Sequence, residues 1–284
     1  MAGRRTGGYG LGSVDTVLSV DAVEEAAREL SASGPRRAEL EALARGEPAI
    51  DIAGLRAGYG RMEILHGLDL VVGKGQSLCL IGPNGAGKST VLHAVFGFAD
   101  VMGGTVTVEG RDIARLSPSE KLATAGIAYV LQDNSVFPDM TVEENLMMGG
   151  FLKDRPAEAK RAAERIFERY DRLAERRRQR AGVLSGGERR LLEISRALIM
   201  EPQVLMVDEP SIGLEPRFID MVFEILGALQ DEEGKTIVMV EQNAKRGLEF
   251  ADIGYVLVSG QLARAGKGGD LLDDPEVGRL FLGG

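Results

Sequence analysis

Cysteine, histidine and long apolar runs are all scarce in this 284-residue sequence. Cys79 is the single cysteine, which excludes an internal disulfide and a cysteine-rich zinc site, and its short apolar run indicates a buried strand residue. No apolar stretch approaches the roughly 18 residues needed to span a bilayer, and Arg4 and Arg5 are not followed by the apolar region of a secretory signal. We therefore expect a cytoplasmic protein, with any membrane-embedded part of its process on other chains.

Basic residues are outnumbered by acidic ones. The sequence has 34 Lys and Arg against 43 Asp and Glu, a formal net charge of -9 and a pI of about 5.0. Tracking a nucleic-acid backbone needs clustered basic residues, so no nucleic-acid partner is expected. One local basic run is interpreted as a solvated helix end, with contact to a partner or to lipid head groups as the alternative: Arg172, Arg176, Arg177, Arg178 and Arg180.

The only two histidines, His66 and His93, are not expected to be catalytic, and His93 is expected to be a packing residue. Residues 1–48 are predicted to form an N-terminal extension that is partly helical or flexible, with helical patterns over residues 21–30 and 36–45. This extension is interpreted as a solvated appendage, and a partner-docking arm is the alternative.

From residue 49 onward, short apolar strands alternate with helical segments, which indicates an α/β core. Residues 156–180 are predicted to form one long, highly charged helix. The predicted strands lack a clear polar–apolar alternation, as expected for strands covered on both faces. They are Leu78–Ile81, Ile127–Val130, Val204–Val207, Thr236–Val240 and Tyr255–Val258.

Residues 82–90 read GPNGAGKST and match the pattern G-x-x-x-x-G-K-[ST] between a predicted strand and a predicted helix. The glycines let the backbone curl so that its N–H groups and the helix N-terminus form a cradle for phosphates. Lys88 is predicted to bind between the β- and γ-phosphates, Ser89 to ligate Mg²⁺, and Thr90 to support the α-phosphate side. The predicted nucleotide-binding residues of the loop are Gly82, Pro83, Asn84, Gly85, Ala86, Gly87, Lys88, Ser89 and Thr90.

An apolar strand that ends in two carboxylates, VLMVDEP, lies about 120 residues downstream. Asp208 is predicted to hold Mg²⁺ through water, and Glu209 to polarise the attacking water as general base. Such a strand end is common by itself, but together with the phosphate loop it indicates a nucleoside triphosphatase or a kinase.

Residues 184–188, LSGGE, precede a helical pattern and resemble the signature of ABC ATPases. Ser185 and the N–H groups of Gly186 and Gly187 form a second anion site at a helix N-terminus. The resemblance implies that this site caps the γ-phosphate of ATP held by a partner subunit. Two copies, or one copy and a sister subunit, are then expected to sandwich ATP.

The resemblance covers residues 49–284 as an ABC ATPase domain. It implies an α/β fold: a P-loop NTPase core with a mixed sheet and an antiparallel β-subdomain, plus an inserted α-helical subdomain at about residues 137–193. ATP and Mg²⁺ are the implied cofactors. The implied partners are a second ABC ATPase subunit, transmembrane permease subunits and, indirectly, a substrate-binding protein, with the chain peripheral on the inner face of the cell membrane.

Further positions match the family one at a time. Tyr59 lies where the family stacks an aromatic ring on adenine, and a core strand tyrosine is the alternative. Gln132 matches the glutamine that reaches Mg²⁺ and senses the membrane subunit. Residues 136–148 resemble the surface on which a coupling helix of the membrane subunit docks, and residues 211–216 resemble the loop that crosses the dimer axis.

Three positions depart from the common family pattern. Gln242, in VEQN, stands where most relatives have a histidine; it is expected to contact the γ-phosphate as a catalytic residue, but an amide cannot take up a proton near neutral pH. Glu215 replaces the usual aspartate of the cross-dimer loop, which puts its contact with the other subunit in question. Glu188 replaces a glutamine and is expected to matter little to the phosphate contacts.

Three segments resemble the ATPases of importers for branched-chain amino acids and of their amide or urea relatives: VEQN, TVEENLMMGGFL and DLLDDPEVGRLFLGG. The resemblance implies an ATP-hydrolysing subunit that powers import of branched-chain or related amino acids. The alternatives are the ATPase of a lipopolysaccharide or lipid export system, which LSGGERR also resembles, a non-transport ABC ATPase, and a regulatory module that does not hydrolyse ATP.

Overall fold

The computed structural model describes residues 34–132 and 135–281. A six-stranded sheet has a hydrophobic core on each face. One core lies between this sheet and a four-stranded antiparallel sheet, and the other lies between the six-stranded sheet and most of the helices. In the described residues, no helix is long and apolar enough to cross a membrane.

The six-stranded sheet has the strand order β10-β9-β3-β8-β7-β6, in which all pairs are parallel except β9 with β10. All residues of β3, β7, β8 and β9 are buried, as predicted for strands covered on both faces. Cys79 is buried in β3, as predicted, and this burial raises the pKa of its thiol. The strands are Ser77–Ile81 (β3), Ile127–Val130 (β6), Val204–Asp208 (β7), Thr236–Val240 (β8), Ile253–Val258 (β9) and Gln261–Lys267 (β10).

The antiparallel sheet has the order β2-β1-β4-β5 and begins with a long hairpin in which Tyr59 lies opposite Met62. Register shifts interrupt this hairpin, for example between Ile52 and Leu55, so the alternation of buried and exposed residues is not continuous. The strands are Pro48–Tyr59 (β1), Met62–Gly73 (β2), Asp100–Val108 (β4) and Arg111–Asp112 (β5).

Among the described residues, one helix precedes β1, two follow β10, and the others lie between strands along the chain, several of them between β6 and β7. Several begin with a reciprocal capping box, as at Ser117, Thr141 and Ser185. The helices are Arg37–Leu43 (α1), Lys88–Phe96 (α2), Pro118–Thr124 (α3), Val142–Gly149 (α4), Pro156–Arg169 (α5), Asp171–Glu175 (α6), Gly186–Leu198 (α7), Pro216–Asp231 (α8), Ala244–Phe250 (α9), Gly268–Leu272 (α10) and Pro275–Phe281 (α11), with a 3₁₀ turn at Ala181–Val183.

The single helix predicted for residues 156–180 is wrong, because the chain breaks at Tyr170. This residue has φ -125° and ψ 89°, which is not a helical conformation, and it separates α5 from α6. After α6 the backbone returns to α4, where Val142 N donates to Gln179 O at 3.0 Å. The interpretation of the basic run as a solvated helix end is also wrong for Arg177, whose guanidinium pairs with Glu143 and Glu164 at 2.6 Å each.

The interpretation of the N-terminal extension as a solvated appendage is wrong for α1. Leu40 is fully buried in the core beneath the antiparallel sheet. Arg37 Nη2 donates to both carboxylate oxygens of Asp51 in β1, at 2.7 and 2.8 Å. This helix therefore belongs to the folded domain, while the helix predicted at residues 21–30 lies outside the described residues.

Candidate nucleotide site

The predicted phosphate loop connects β3 to α2. Gly82 has φ 141°, and a Cβ at this position would lie 2.1 Å from Leu257 O, so only glycine fits between this loop and β9. Gly87 has φ 95° and caps α2. The strand, the tight turn and the helix predicted around residues 82–90 are therefore all present, and the first N–H groups of α2 are left to bind an anion.

Lys88 folds back into the loop that it follows. Its buried Nζ donates to Gly82 O at 2.9 Å and to Pro83 O at 3.0 Å. Burial lowers the pKa of Lys88, whereas the carboxylates of Glu209 and Asp208 oppose this shift. An ammonium has three donor hydrogens, so these two bonds leave one for a phosphate oxygen.

Ser89 and Asp208 lie together, as the sequence predicted for two residues that share a metal. Ser89 Oγ donates to Asp208 Oδ1 at 3.0 Å, and Tyr129 Oη donates to Asp208 Oδ2 at 2.7 Å. Burial and the neighbouring Asp208 carboxylate raise the pKa of the Tyr129 phenol, which keeps it a donor. Tyr129 was not predicted from the sequence, although its position in β6 beside β7 is the signal that places it.

Glu209 and Gln132 lie at the carboxyl ends of the neighbouring strands β7 and β6. Gln132 Nε2 donates to Glu209 Oε2 at 3.0 Å, and Glu209 N donates to Val240 O at 2.9 Å. Glu209 has φ 43°, a left-handed conformation that is uncommon outside glycine and is associated with functional positions.

A cavity of about 260 Å³ lies between the phosphate loop, Glu209 and Tyr59. Tyr59 is 43% exposed at its rim, so the alternative of a core strand tyrosine is wrong. The Tyr59 hydroxyl lies 2.6 Å from Nδ1 of His93, which packs by its ring edge against Phe98 and Tyr129. The lining residues are Tyr59, Ile64, Asn84, Gly85, Gly87, Lys88, Ser89, Thr90 and Glu209.

The oxygen atoms near this cavity suit Mg²⁺. Ser89 offers a hydroxyl, Asp208 a carboxylate, and Gln132 retains its Oε1 because Nε2 bonds to Glu209. A set with one carboxylate and neutral oxygens fits a metal that is held jointly with phosphates, which is the usual protein environment of Mg²⁺. The described residues contain no cluster of three or more His, Cys, Asp and Glu side chains that could hold a metal ion.

The signature residues are not brought to this cavity. Gly186 lines a different cavity, together with Gln132, Arg189 and Leu214. Ser185 is exposed at the N-terminus of α7, and Gly187 packs so closely that a Cβ would lie 2.1 Å from Cδ1 of Phe218. An exposed signature away from the phosphate loop of the same chain is the arrangement that a shared site between two subunits requires.

Gln242 is exposed in the turn after β8 and does not line the phosphate-loop cavity. The residue before it, Glu241, is buried and was missed by sequence reasoning. Its carboxylate accepts bonds from Ser211 Oγ at 2.7 Å and from Asn243 N at 2.9 Å, so it ties the predicted cross-dimer loop to the Gln242 turn. The available signal was an acidic residue directly after the apolar run at residues 237–240.

Arg190 was also missed. This residue of α7 is only 4% exposed, and its guanidinium donates to Leu131 O at 2.8 Å and to Asp208 O at 3.0 Å. It therefore links the signature helix to the ends of β6 and β7, where Gln132 and Asp208 lie. A basic residue two positions after LSGGE on a helix gives no sequence signal for such a contact.

The fold and this cavity together define a P-loop nucleotide-binding domain, with the Ser89 hydroxyl and the Asp208 carboxylate beside its phosphate loop. The family model described as ABC transporter matches residues 65–212. The chain belongs to this family, whose ATP-binding subunits couple ATP hydrolysis to transport, and the fold class and the enzyme class expected from the sequence are confirmed.

Individual relatives and solved structures agree with this assignment. The branched-chain amino acid transport ATP-binding protein BraG of Pseudomonas aeruginosa is 42% identical over 226 residues, which cover 80% of this chain and 96% of that protein. The probable branched-chain amino acid transport ATP-binding protein LivF of Archaeoglobus fulgidus is 38% identical over 81% of this chain and 96% of its own length. A crystal structure of a nucleotide-free cassette from an ABC transporter is 29% identical with a TM-score of 0.74, covering 84% of this chain and all of that one.

Proposed function

We propose that this chain binds ATP in the Lys88 cavity, hydrolyses it across a two-subunit interface, and powers import of branched-chain or related amino acids. The observation that carries this proposal is that α2 and the end of β7 bring Lys88, Ser89 and Glu209 to one cavity, with Asp208 hydrogen-bonded to Ser89. Membership of the family supports hydrolysis, and the identity to BraG and LivF supports the class of solute.

Each residue has a distinct role in the proposed reaction. Lys88 and the loop amides bind the β- and γ-phosphates and hold them in position for in-line attack. Ser89, Asp208 and Gln132 would hold Mg²⁺, which neutralises phosphate charge when bound. Glu209 accepts the proton of the attacking water, and the Gln132 hydrogen bond fixes its carboxylate.

The signature residues Ser185, Gly186 and Gly187 are proposed to complete the site of a second subunit, either another copy or a sister chain. Their exposure at the start of α7 supports this role, because the site must remain accessible to a partner. Gln242 is proposed to donate to the γ-phosphate from its exposed turn once the two subunits close. Changing Gln242 to Ala is then expected to slow turnover, and an unchanged rate removes it from the site.

The Phe137 region is proposed to contact the membrane partner and so to keep the chain at the inner face of the membrane. Large apolar side chains are exposed around one cavity beside α4. Phe137 is 44% exposed, Met148 40% and Phe151 77%, which is unusual for a surface that stays in water. This surface follows Gln132 along the chain, and Gln132 donates a hydrogen bond to Glu209. A movement of the membrane partner against this surface can therefore change the position of Glu209 through the Gln132 side chain.

The steady-state ATPase rate of the chain with its membrane partners tests hydrolysis, and the Glu209→Gln variant tests the general base. We expect Lys88→Ala to lose ATP binding and Glu209→Gln to keep binding but lose turnover. Equal, near-zero rates in the parent and in Glu209→Gln would favour the regulatory module. Identification of the permeases that co-purify from membranes tests the solute class: amino-acid permeases support import, and lipid-export subunits overturn it.

A further inference from the structure

The hydroxyl of the signature serine is already donated to a carboxylate of its own chain. Ser185 Oγ donates to Glu188 Oε2 at 2.9 Å, and Ser185 N donates to the same oxygen at 3.0 Å. In return, Glu188 N donates to Ser185 Oγ at 3.3 Å, which completes a capping box. An anion that approaches this helix N-terminus therefore competes with Glu188 for the same donors.

Glu188 would also repel such an anion by its charge. Like charges a few ångströms apart repel strongly where water is partly excluded, and the Glu188 side chain is only 14% exposed. Burial raises the pKa of Glu188, but the bonds from Ser185 and from Arg176 outweigh this effect and lower the pKa overall. Glu188 is thus ionised at neutral pH, and the helix N-terminus is not a simple cationic site.

Arg176 supplies a positive charge that neutralises the Glu188 carboxylate. Its Nε donates to Glu188 Oε1 at 2.6 Å, so the two oxygens of this carboxylate are divided between Arg176 and Ser185. Nη1 of Arg176 donates to Gln179 Oε1 at 3.0 Å, which fixes the guanidinium from its other side. The residue lies just beyond α6, in the segment predicted from the sequence as the continuation of a solvated helix.

We propose that Arg176 is a positioning residue of the signature: it neutralises and holds Glu188, so that the Ser185 hydroxyl can exchange this carboxylate for the γ-phosphate of the partner subunit's ATP. The inference rests on the signature role proposed above for Ser185. It makes Glu188 and Arg176 a functional pair. The presence of Glu188, where relatives often have glutamine, then lowers activity only if Arg176 is removed. This differs from the small effect expected for Glu188 from the sequence alone.

The test is a double-mutant cycle on the full chain assembled with its membrane partners, with kcat/KM for ATP as the readout. We expect Arg176→Ala to lower kcat/KM about tenfold, as for loss of a charge-assisted hydrogen bond. Glu188→Gln is expected to stay near the parent, because glutamine also forms a capping box. In the Glu188→Gln background, Arg176→Ala is expected to change kcat/KM by less than about twofold.

Three controls separate the possible failures. Arg178→Ala removes an exposed guanidinium from the same segment and is expected to have no effect. Arg176→Lys keeps the charge and is expected to restore most of the activity, and thermal unfolding checks that each variant is folded. An equal loss from Arg176→Ala in both backgrounds, or no loss in either, overturns this inference. An active Ser185→Ala variant overturns the signature role itself.

Discussion

Gln132 Nε2 lies 3.0 Å from Glu209 Oε2, so the amide at the end of β6 holds the carboxylate at the end of β7. Because Gln132 precedes the exposed Phe137 surface by only a few residues, the proposed base and the proposed docking surface are joined by one hydrogen bond. Gln132 therefore donates Nε2 to Glu209, and its Oε1 is proposed above as a ligand for Mg²⁺.

Shortening this residue is expected to slow hydrolysis more than it weakens ATP binding. Gln132→Asn keeps the amide but draws it back by one methylene, which breaks the bond to Glu209. We expect kcat to fall about tenfold with KM for ATP changed less than threefold, because the interaction acts on the reacting water and not on the phosphates. Gln261→Asn, at an exposed position of β10 outside the cavity, is the matched control, and equal changes in kcat and KM contradict the prediction.

Removing the Tyr129 hydroxyl is expected to weaken the metal site. Tyr129→Phe leaves the aromatic packing in place but removes the donor that orients Asp208. Groups that hydrogen-bond a metal ligand typically contribute about 10-fold or more to metal affinity, so the Mg²⁺ concentration for half-maximal ATPase should rise about tenfold. Tyr170→Phe, in the segment between α5 and α6, is the control. An unchanged Mg²⁺ requirement in Tyr129→Phe rules out this role.

Gly187→Ala is expected to destabilise the domain, whereas Gly186→Ala is expected to leave its stability unchanged. A Cβ on Gly187 would lie 2.1 Å from Cδ1 of Phe218, whereas a Cβ on Gly186 meets Leu214 at 3.4 Å. Phe218 is 9% exposed and has little room to move, so overpacking should cost about 1–3 kcal/mol of unfolding free energy. Denaturant unfolding of the two variants checks this difference, and equal stabilities argue against the close approach of α7 and α8.

Lys121 is expected to reduce stability at neutral pH. Its Nζ is buried without a hydrogen-bond partner in the described residues, and burial lowers its pKa to about 8 from the ordinary 10.5. Between these two pKa values the unfolded chain binds more protons than the folded chain, so the free energy of unfolding rises with pH. The destabilisation by Lys121 is therefore largest below pH 8. Lys121→Met should therefore raise the melting temperature at pH 7, with a gain that shrinks towards pH 10.

Lys245→Met is the control for this experiment, since Lys245 is exposed on α9 and loses one charge in the same way. It should change the melting temperature little at either pH. A Lys121→Met variant that is less stable than the parent at pH 7 contradicts the prediction, because it shows that the ammonium is stabilised where it lies.

The sequence predicts the six-stranded sheet well because its central strands are short, fully buried and therefore mainly apolar. The phosphate loop and the Asp208–Glu209 pair follow strands β3 and β7 directly, so their positions at one edge of the sheet could be predicted too. The break at Tyr170 could not, because it depends on the return of the chain to α4. Likewise, the bonds of Arg176, Glu241 and Tyr129 join residues from separate segments, and no local pattern encodes them.

The position of β3 has a consequence for how the polypeptide acquires its structure. In the described residues, β3 pairs only with β8 and β9, which are made much later than β3 itself. Gly82 moreover fits against Leu257 in β9. During synthesis the phosphate loop therefore cannot adopt its final packing until almost the whole chain has left the ribosome. Pairing between strands that are so far apart in the sequence is slow. Truncations before residue 258 should accordingly yield aggregation-prone fragments, although they retain the complete GPNGAGKST segment.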